Sequence, residues 1–352
     1  MHLYLLLKIW IWEISTPEAN RLLGELNAYS QIIPDVDFFI TMHILKEATT
    51  SSRIEGTKMN MEEALVREED IKPEKRDDWA EVQNHIKAIN TSIKDLEKLP
   101  ISNRLIKNTH KTLLSGVRGK HKIPGEFRTS QNWIGATLKD AIFIPPHHSE
   151  VIELMSDLEK FINDENYPVP HLIKIAIIHY QFETIHPFLD GNGRLGRLLI
   201  TLYLVSNDVL KKPSLYLSDF FDKNKAYYYD NLMTVRLTGN LLQWIKFFLI
   251  GVIETSKESI QVFKDIITLK TDIETNRLPK LGSKVENAQQ LLKQLYQVPI
   301  TDSKQVSEFL KISPSTANRL IKEMIELKIL SELTGYKRNR KYIFTEYFKL
   351  FH

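Results

Sequence analysis

Two apolar segments joined by a short polar loop constrain the fold of this chain most. Residues 171–185 (HLIKIAIIHYQFETI) are apolar almost all round, and a helix of that kind has to be covered by other elements on every side. After the loop, a second segment of similar character begins near residue 193 and runs to about residue 204. The sequence therefore predicts two consecutive buried helices at the centre of a mainly α-helical domain.

Most of the remaining chain also has helical periodicity, with apolar residues recurring at intervals of three and four. Thr16 is predicted to cap the first helix, since Pro17 follows it at the first helical position. Between residues 116 and 146 the sequence changes to Gly, Pro, Asn and Thr with short β-branched or aromatic pieces, which predicts a loop or an irregular hairpin. Further helices are predicted over residues 17–27, 37–48, 61–69, 79–96, 151–161 and 240–270.

Length and composition favour a two-domain globular protein. At 352 residues the chain exceeds one usual domain, and 43% hydrophobic with 26% charged residues is ordinary for a folded chain. The polar stretch 271–284, which contains Pro279 and Gly282, is the predicted linker. The predicted organisation is an N-terminal helical region over 1–100, a core over 101–270, the linker over 271–284 and a C-terminal domain over 285–352.

The charge, the absence of cysteine and one apolar run limit the function classes. A net charge of +3 is too small to imply nucleic-acid binding by itself, so any basic surface must be local. Without cysteine there is no disulfide, thiolate zinc site or cysteine nucleophile, and a cytoplasmic location fits. The run 3–12 (LYLLLKIWIW) is about half the length that spans a bilayer. We interpret it as a packed segment and expect no membrane partner; a weak membrane-surface anchor is the alternative.

The loop between the apolar segments and the start of the second segment have the character of an anion site. Residues 186–197 read HPFLDGNGRLGR. Gly191 and Gly193, on either side of Asn192, let the backbone turn tightly with its N–H groups pointing the same way. The turn leads directly into a helix N-terminus, whose partial positive charge binds phosphate.

Charged and titratable side chains complete this site. Arg194 and Arg197 lie three apart on one helix face, so both can bind further phosphate oxygens. Asp190 adds a carboxylate oxygen of the kind that holds Mg²⁺ on a polyphosphate. His186 is largely neutral near pH 7 and can accept a proton. Together these groups predict transfer chemistry on a nucleotide.

Other interpretations of the same residues fit less well. The glycines also spell the dinucleotide fingerprint GxGxxG, but that motif directly follows a strand, whereas here a helical stretch and HPFLD precede it. A lone histidine is usually structural, and we interpret His179 as packed on the central helix. The pair His147 and His148 is interpreted as surface residues rather than as metal ligands.

Residues 186–197 match the signature HPFxDGNGRxxR of the Fic family at all nine specified positions, and the chain resembles that family. The resemblance implies a helical catalytic core that uses Mg²⁺ and ATP to transfer AMP onto a protein hydroxyl. It assigns the general base to His186 and the Mg²⁺ ligand to Asp190. Phosphate binding is assigned to the backbone of residues 191–194 and to Asn192, Arg194 and Arg197, with the two arginines at the β and γ phosphates.

The resemblance extends on both sides of the signature. Residues 123–148 look like the family's flap, a short β-hairpin that pairs with an extended segment of the target protein. Tyr229 and Arg236 lie in a region that resembles the enclosure of the nucleoside and are candidates for packing on the base or sugar; core packing is the alternative for the tyrosine. The implied partners are a target protein with a hydroxyl acceptor, with the chain itself as one such target, and a second copy of the chain.

A second motif lies upstream of the core. Residues 51–56 (SSRIEG) fit the pattern [S/T]xxxE[G/N] of the family's inhibitory helix. Ser51 and Glu55 are four apart and share a helix face, and Gly56 can end the turn. In the family such a glutamate pairs with the second signature arginine, here Arg197, so that ATP must compete for it. The resemblance thus predicts autoinhibition in cis; the alternative is that Glu55 is an ordinary surface glutamate.

The C-terminal region resembles a winged helix. Helices are predicted over 285–298 and 303–310, and a third begins with Ser313 as N-cap and Pro314 at the first position, which is helix-turn-helix spacing. Strands over 329–334 and 342–347, with the basic turn 337–341 (KRNRK) between them, would complete the wing. In this interpretation the third helix enters a DNA major groove and the wing touches phosphate; protein contact or dimerisation is the alternative. The exposed groups of that helix are predicted to be Ser315, Asn318, Arg319 and Lys322.

Three hypotheses for the function stay open at the level of sequence. The first is an AMP-transferring enzyme that acts on a Ser, Thr or Tyr hydroxyl. The second is a DNA-binding regulator whose core senses a nucleotide; His186 favours the enzyme, because sensing needs the phosphate cradle but no base. The third keeps the enzyme but changes the chemistry to transfer of UMP or phosphocholine, or to removal of AMP.

Overall fold

The structure is a computed structural model that describes residues 15–32, 36–116, 122–135, 137–166, 169–335 and 340–352. The apolar run 3–12, predicted as a packed segment, lies outside the described residues. Among the described helices none is long and apolar enough to cross a membrane. In chain order the helices are α1 (Thr16–Ile32), α2 (Val36–Ile54), α3 (Met61–Ala64), α4 (Arg76–Asp95), α5 (Asn103–Leu113), α6 (Val151–Asn163), α7 (His171–Ile185), α8 (Asn192–Ser206), α9 (Ser218–Lys223), α10 (Lys225–Thr238), α11 (Leu241–Asp272), α12 (Val285–Gln297), α13 (Ser303–Leu310), α14 (Pro314–Glu326) and α15 (Thr345–Lys349).

The two segments predicted as buried helices are α7 and α8, and they pack against each other. Both are buried along almost their whole length, which confirms the interpretation of the apolar pattern. His186, with φ of 50°, ends α7, and Gly191, with φ of 77°, precedes α8. The short loop 186–191 therefore reverses the chain and lies at one end of the central pair.

The long helix α11 packs against α7 of this pair and also contacts α1. Trp244 of α11 is fully buried, and its indole N–H donates to the carbonyl of Ala176 in α7 at 2.8 Å. His179 is also fully buried between helices: Nδ1 lies 2.9 Å from the Gly196 carbonyl and Nε2 lies 2.9 Å from the Tyr228 hydroxyl. The prediction that His179 packs on the central helix is confirmed.

Truncating Trp244 should cost a large part of the stability of this core. We expect Trp244→Ala to lower the free energy of unfolding by about 3 to 5 kcal/mol, because it opens a cavity and removes the buried hydrogen bond from the indole N–H to the Ala176 carbonyl. Urea unfolding followed by circular dichroism measures the change. Tyr227→Ala, at a side chain that is 68% exposed, is the matched control and should change the same quantity by less than about 1 kcal/mol. Equal losses in the two variants would contradict the assignment of Trp244 to the core.

Helix α2 runs between the core and the C-terminal region. Near its start the ring of Phe39 lies 5.2 Å from that of Tyr296 in α12. Further along, Lys46 pairs with Asp219 at 3.1 Å, and Arg53 pairs with Asp222 at 2.9 Å. These ion pairs tie α2 to α9, so the end of α2 that reaches toward α8 is held in place by its neighbours.

The C-terminal region contains α12–α15 and a three-stranded antiparallel sheet of order β1-β3-β2. Its strands are β1 (Ile300–Asp302), β2 (Ser331–Glu332) and β3 (Lys341–Ile343). Ser313 caps α14, with its hydroxyl accepting the Thr316 N–H at 3.2 Å, as its sequence position predicts. Most of the basic turn 337–341 lies outside the described residues. The winged helix stays a prediction.

Two details of this region differ from the sequence predictions. The strand predicted over 342–347 ends at Ile343, because Thr345–Lys349 is helical and buries Tyr347 and Phe348. Strand β1 was not predicted; it is only three residues long and precedes α13 directly. So short a strand gives no alternation that a sequence pattern can reveal.

The predicted linker 271–284 is not an extended polar chain. Helix α11 continues to Asp272, and a π turn (Ile273–Arg277) and a 3₁₀ turn (Leu278–Lys284) lead into α12. Ile273 and Leu278 are fully buried, and Arg277 pairs with Glu346 at 2.8 Å. The domain boundary at this position stays a prediction, but the segment itself is packed.

Further differences concern helices with polar sequences. Helix α5 was not predicted, because its buried face includes the polar Thr109 and His110. Helix α2 extends six residues beyond the predicted end at 48. Its last turns were not predicted because Thr49, Ser51 and Ser52 are polar, although they are buried. The helix predicted over 61–69 stops at Ala64. The flap is an irregular hairpin with one antiparallel bridge, Ile134 to Phe143, as expected for its composition.

Candidate active site

The loop between α7 and α8 is closed by the side chain of Asn192. Its Oδ1 accepts the N–H of Phe188 at 2.9 Å, and its Nδ2 donates to the carbonyl of the same residue at 2.8 Å. Asn192 is 1% exposed. Both polar atoms of the amide bond inside the loop, and the N–H of Gly191 donates to Asp190 Oδ1 at 2.6 Å. The backbone N–H groups of Asn192 and Gly193 are therefore the ones directed to an anion at the start of α8. Phosphate binding by Asn192 stays a prediction.

His110 links this loop to the flap, and no sequence motif identified it as a site residue. Its Nδ1 accepts the N–H of Gly125 at 2.8 Å, so Nε2 carries the hydrogen and donates to the Asp190 carbonyl at 2.9 Å. The ring stacks on Phe188 with centroids 3.7 Å apart. Burial lowers the pKa of His110 to about 4, which keeps the ring neutral. His110 therefore supports the site without titrating near pH 7.

Arg128 is a second link between the flap and the loop. Its Nε donates to the carbonyl of His186 at 3.0 Å, and its Nη2 donates to the carbonyl of Pro146 at 2.6 Å. The backbone N–H of Arg128 also donates to the Pro187 carbonyl at 2.9 Å. A single guanidinium thus fixes the two ends of the flap against the residue predicted to be the base.

His186 lies at the C-terminal end of α7, in a left-handed conformation that turns the chain into the loop. Burial lowers the pKa of His186 to about 4, and the nearby carbonyl of Glu183 opposes that effect only in part. Its Nδ1 atom is buried and has no hydrogen-bond partner. The imidazole is therefore neutral at physiological pH and able to accept a proton.

Arg197 is held by the end of α2. Its Nη2 lies 2.7 Å from Glu55 Oε1 and donates to the Ser51 carbonyl at 2.8 Å, while its Nε donates to the Ser51 hydroxyl at 2.9 Å. The Arg197 side chain is 1% exposed and that of Glu55 is 35% exposed. Burial alone would raise the pKa of Glu55, but the charge and hydrogen bond of Arg197 hold it below its ordinary value. The residues of the predicted inhibitory motif and the second signature arginine are thus in direct contact.

The way α2 ends places Glu55 at this position. The N–H of Thr57 bonds to the carbonyl of Ser52, and the N–H of Gly56 bonds to that of Arg53, which together form a Schellman motif. Gly56 has φ of 104°, a conformation that favours glycine, as the sequence motif predicts. A Cβ atom at Gly193 would clash with the Glu55 carboxylate. The carboxylate therefore lies against the N-terminal turn of α8, where a phosphate would bind.

Arg194 and Asp190 are the remaining charged groups of the site. Arg194 is 4% exposed and lies 3.5 Å from Glu81 of α4 and 3.7 Å from Asp190. Among the described residues no group of three or more His, Asp or Glu side chains is close enough together to bind a metal ion unaided. The Asp190 side chain is 44% exposed, so it fits Mg²⁺ in the way that suits this ion, as one carboxylate beside metal-bound phosphates.

Tyr229 and Arg236 of α10 lie at the edge of the site. The Tyr229 ring is 39% exposed, and burial together with the Glu55 charge raises its pKa to about 12. The Arg236 guanidinium stacks on Phe143 of the flap at 3.6 Å and donates to the Glu183 carbonyl at 3.1 Å. Tyr229 is thus near the Glu55 carboxylate, while Arg236 joins the flap to the end of α7.

Two family models match the chain, and together they cover α2, α7 and most of α8, as well as Glu55 and the signature residues. The Fic/DOC family N-terminal model matches residues 15–94, and the Fic/DOC family model matches residues 100–204. The chain belongs to the Fic family. The first match contains Ser51 and Glu55, and the second contains the whole Fic signature, so the contact between Glu55 and Arg197 joins the two matched regions.

Curated relatives carry the name protein adenylyltransferase Fic. Those from Drosophila sechellia and Drosophila melanogaster are each 34% identical to this Fic protein over 121 residues. The matches cover 34% of this chain and 23% of each relative, so the chain matches less than a quarter of the length of these relatives. They support a transferase of the Fic family.

Solved structures have the same fold. A Fic family protein from Desulfovibrio desulfuricans G20 has a TM-score of 0.54 at 19% identity, over 93% of this chain and 96% of that one. Fic-1 from C. elegans has a TM-score of 0.56 at 21% identity, over 74% of each chain. Identities this low show the fold alone, which is the mainly helical Fic fold predicted from the sequence.

Proposed function

We propose that this Fic protein is a protein adenylyltransferase that transfers AMP from ATP to a hydroxyl of a target protein and is restrained by Glu55. The observation that carries the proposal is a neutral imidazole, His186, beside a helix N-terminus that bears two buried arginines. A proton acceptor next to an anion site suits the attack of a hydroxyl on a phosphate. The curated relatives named protein adenylyltransferase Fic support AMP as the transferred group.

In the proposed reaction His186 takes the proton of the target hydroxyl on an imidazole nitrogen. The hydroxyl oxygen forms a bond to the α-phosphorus while the bond from that phosphorus to the leaving oxygen breaks, and pyrophosphate departs with the electron pair. The N–H groups at the start of α8, with Arg194, stabilise the charge that develops on the phosphate. Mg²⁺, when bound with ATP and held by Asp190, neutralises part of the same charge.

The proposed restraint follows from where the Glu55 carboxylate lies. It is paired with Arg197 and rests on the backbone at Gly193, so it occupies the two groups that an outer phosphate of ATP would use. Two anions cannot share that place, and ATP must displace the carboxylate before it binds productively. Release of Glu55 is therefore proposed as the activating step.

The position of the label in ATP tests the proposed chemistry. The Glu55→Gly variant is incubated with Mg²⁺ and ATP labelled at either the α or the γ phosphate, alone and with a cell extract as a source of targets. We expect protein-bound label from the α position only. Label from the γ position would show phosphorylation instead. No label from any nucleotide, with ATP still bound, would overturn transfer in favour of a nucleotide-sensing regulator. Competition with UTP and CDP-choline distinguishes the other transferred groups.

We also propose that the C-terminal region binds DNA through α14. Four polar or basic side chains on one side of this helix are exposed or nearly so, and a helix of that kind fits a major groove. They are Ser315, Asn318, Arg319 and Lys322. DNA binding would bring the adenylyltransferase to its target on the chromosome, and it is independent of the proposed chemistry.

Removal of two charges from α14 should change how salt affects DNA binding. Each phosphate contact contributes about 0.9 to the slope of log K against log salt, so Arg319→Ala with Lys322→Ala should lower that slope by about 2. Fluorescence anisotropy with a mixed-sequence duplex measures it. The control is Lys94→Ala with Lys98→Ala, exposed lysines near the end of α4, which should leave the slope unchanged. Equal slopes in all three proteins would indicate that α14 does not contact DNA.

A further inference from the structure

Glu183 is a buried carboxylic acid beside the site that the proposed reaction does not use. It belongs to α7, three residues before His186, and is 6% exposed. Its Oε1 atom is buried and has no hydrogen-bond partner. A Cβ atom at Gly196 would clash with that oxygen, so the carboxyl group lies in the interface between α7 and α8, next to the backbone that leads into Arg197.

The charges around Glu183 connect it with the inhibitory pair. Burial raises the pKa of Glu183 to about 7; the Arg197 charge lowers it, the Glu55 charge raises it and the Arg236 charge lowers it. In turn, Glu183 and Glu55 both raise the pKa of Arg197 above its ordinary value. Burial raises the pKa of the Tyr228 hydroxyl, and the Glu183 charge raises that pKa further. Glu55 and Glu183 therefore act on the same guanidinium from two helices.

A buried guanidinium needs an anionic partner. The Arg197 side chain is 1% exposed, and in the structure its ion pair is with Glu55. If Glu55 withdrew with no replacement, an unpaired charge would remain inside the protein, which typically costs several kcal/mol. Glu183 of α7 is a second carboxyl group whose charge already acts on this arginine. Withdrawal of the Glu55 charge also favours the ionised form of Glu183, because like charges oppose each other's ionisation.

We propose that Glu183 is a positioning residue that becomes the counter-ion of Arg197 when Glu55 withdraws and holds the guanidinium where the outer phosphates of ATP bind. This inference rests on the proposed function, because the proposed AMP transfer defines the active state. It explains why a carboxyl group with an unpartnered oxygen is kept between α7 and α8: its partner is occupied by Glu55 in the restrained state. Release of the inhibitory glutamate then leaves Arg197 paired and in place.

A double-mutant cycle tests the exchange without any reaction. Melting temperatures are measured at pH 8 for the wild type, Glu55→Gly, Glu183→Gln and the double variant. We expect the melting temperature of the double variant to be several degrees lower than the two single decreases added together would give. The reason is that only the double variant removes both Glu55 and Glu183 from Arg197. Additive effects would overturn the proposal. Because this readout needs neither ATP nor a target, it stays decisive even if AMP transfer fails.

A matched control comes from Glu47 of α2. It is also buried, its pKa is also raised to about 7 by burial, and it also feels the Arg197 charge. One oxygen of its carboxylate, however, accepts the Ser218 hydroxyl at 2.5 Å, while the other has no hydrogen-bond partner, like Oε1 of Glu183. We expect the changes in melting temperature caused by Glu47→Gln and by Glu55→Gly to be additive. Coupling as strong as that of Glu183 would show that any nearby buried charge has the effect, which would overturn a specific role for Glu183.

ATP binding supplies the second readout. Titration calorimetry of Mg²⁺-ATP should show about tenfold weaker binding to the double variant than to Glu55→Gly, because the phosphate partner is no longer held in position. In AMP transfer the same change should raise KM for ATP with little change in kcat. Glu183→Asp, which keeps the charge, should recover part of the affinity. Equal ATP affinities of the double variant and of Glu55→Gly would overturn the proposal. Absence of AMP transfer with normal ATP binding would count only against the proposed chemistry.

Discussion

Replacing Glu55 by glycine should raise the rate of AMP transfer roughly ten- to hundredfold, since a hydrogen bond between charged groups contributes about 1.5 to 3 kcal/mol. The change removes the carboxylate from the N-terminal turn of α8 and frees Arg197 from its ion pair. Ser51 still bonds to the guanidinium, so the arginine stays near its present position. Initial rates with α-labelled ATP and a protein acceptor measure the effect.

Two further variants separate charge from shape. Glu55→Gln keeps the size of the side chain but removes its charge, so it should activate nearly as well as the glycine variant if the ion pair is the restraint. Glu97→Gly, at an exposed glutamate in the turn after α4, is the control for loss of a carboxylate and gain of backbone freedom. Its rate should equal that of the wild type. If Glu55→Gly also matched the wild type, the carboxylate would not restrain the enzyme.

Acidification to ordinary cellular values should not release this restraint. The Arg197 interaction holds the pKa of Glu55 below its ordinary value, so the stabilisation from this pair is fully present above the unfolded value of about 4.5. It is lost only as the pH falls through the lower pKa of the folded protein. With Glu183→Gln in both proteins, so that Glu183 does not titrate in this range, the ratio of variant to wild-type rates should therefore stay constant between pH 6 and 8.

The parts of the fold that follow a simple periodicity were predictable from sequence. Residues 171–185 have no polar face, and the helix observed there has the predicted bounds. Helix α5 was missed because part of its buried face is polar: His110 and Thr109 bond to distant backbone or to the preceding turn. A polar residue in a core position is recognised only when its partner is known, and that partner lies far away in sequence.

In the candidate site, too, some residues were predictable from sequence and others were not. His186, Asp190, Arg194 and Arg197 belong to one local motif, and the structure brings them together around one loop. Glu183 precedes this motif by only three residues, and the apolar pattern of 171–185 predicts burial of the whole helix, yet nothing in that pattern indicates which charges Glu183 meets. Its significance arises from burial between α7 and α8 and from charges that α2 and α10 contribute. Tertiary contacts of that kind cannot be read from spacing.

Replacing His186 by alanine in the Glu55→Gly protein should lower the rate of AMP transfer by about 10²- to 10⁴-fold, the usual contribution of a general base. ATP binding should change little, because the arginines and the start of α8 are untouched. The experiment compares transfer rates and calorimetric ATP affinities in the same two proteins. His352→Ala, at an exposed histidine of the C-terminal region, is the control and should leave both quantities unchanged. A loss of ATP affinity as large as the loss of rate would indicate that His186 binds nucleotide rather than accepting the proton.

The pH profile gives an independent test of the same role. Burial lowers the pKa of His186 to about 4, so the neutral form that accepts a proton is complete well above that value. The rate of Glu55→Gly should be insensitive to His186 titration from pH 6 to 8 and should fall as the pH drops through about 4, where the imidazole becomes protonated. In the restrained state the pKa of Glu183 is raised to about 7 by burial, and the Glu55 charge contributes to that increase. Because Glu55→Gly removes this charge, Glu183 should titrate below pH 7 in this variant, as a step separate from that of His186. Loss of that step when Glu183→Gln is added, with the step near pH 4 retained, would assign the two titrations to the two residues.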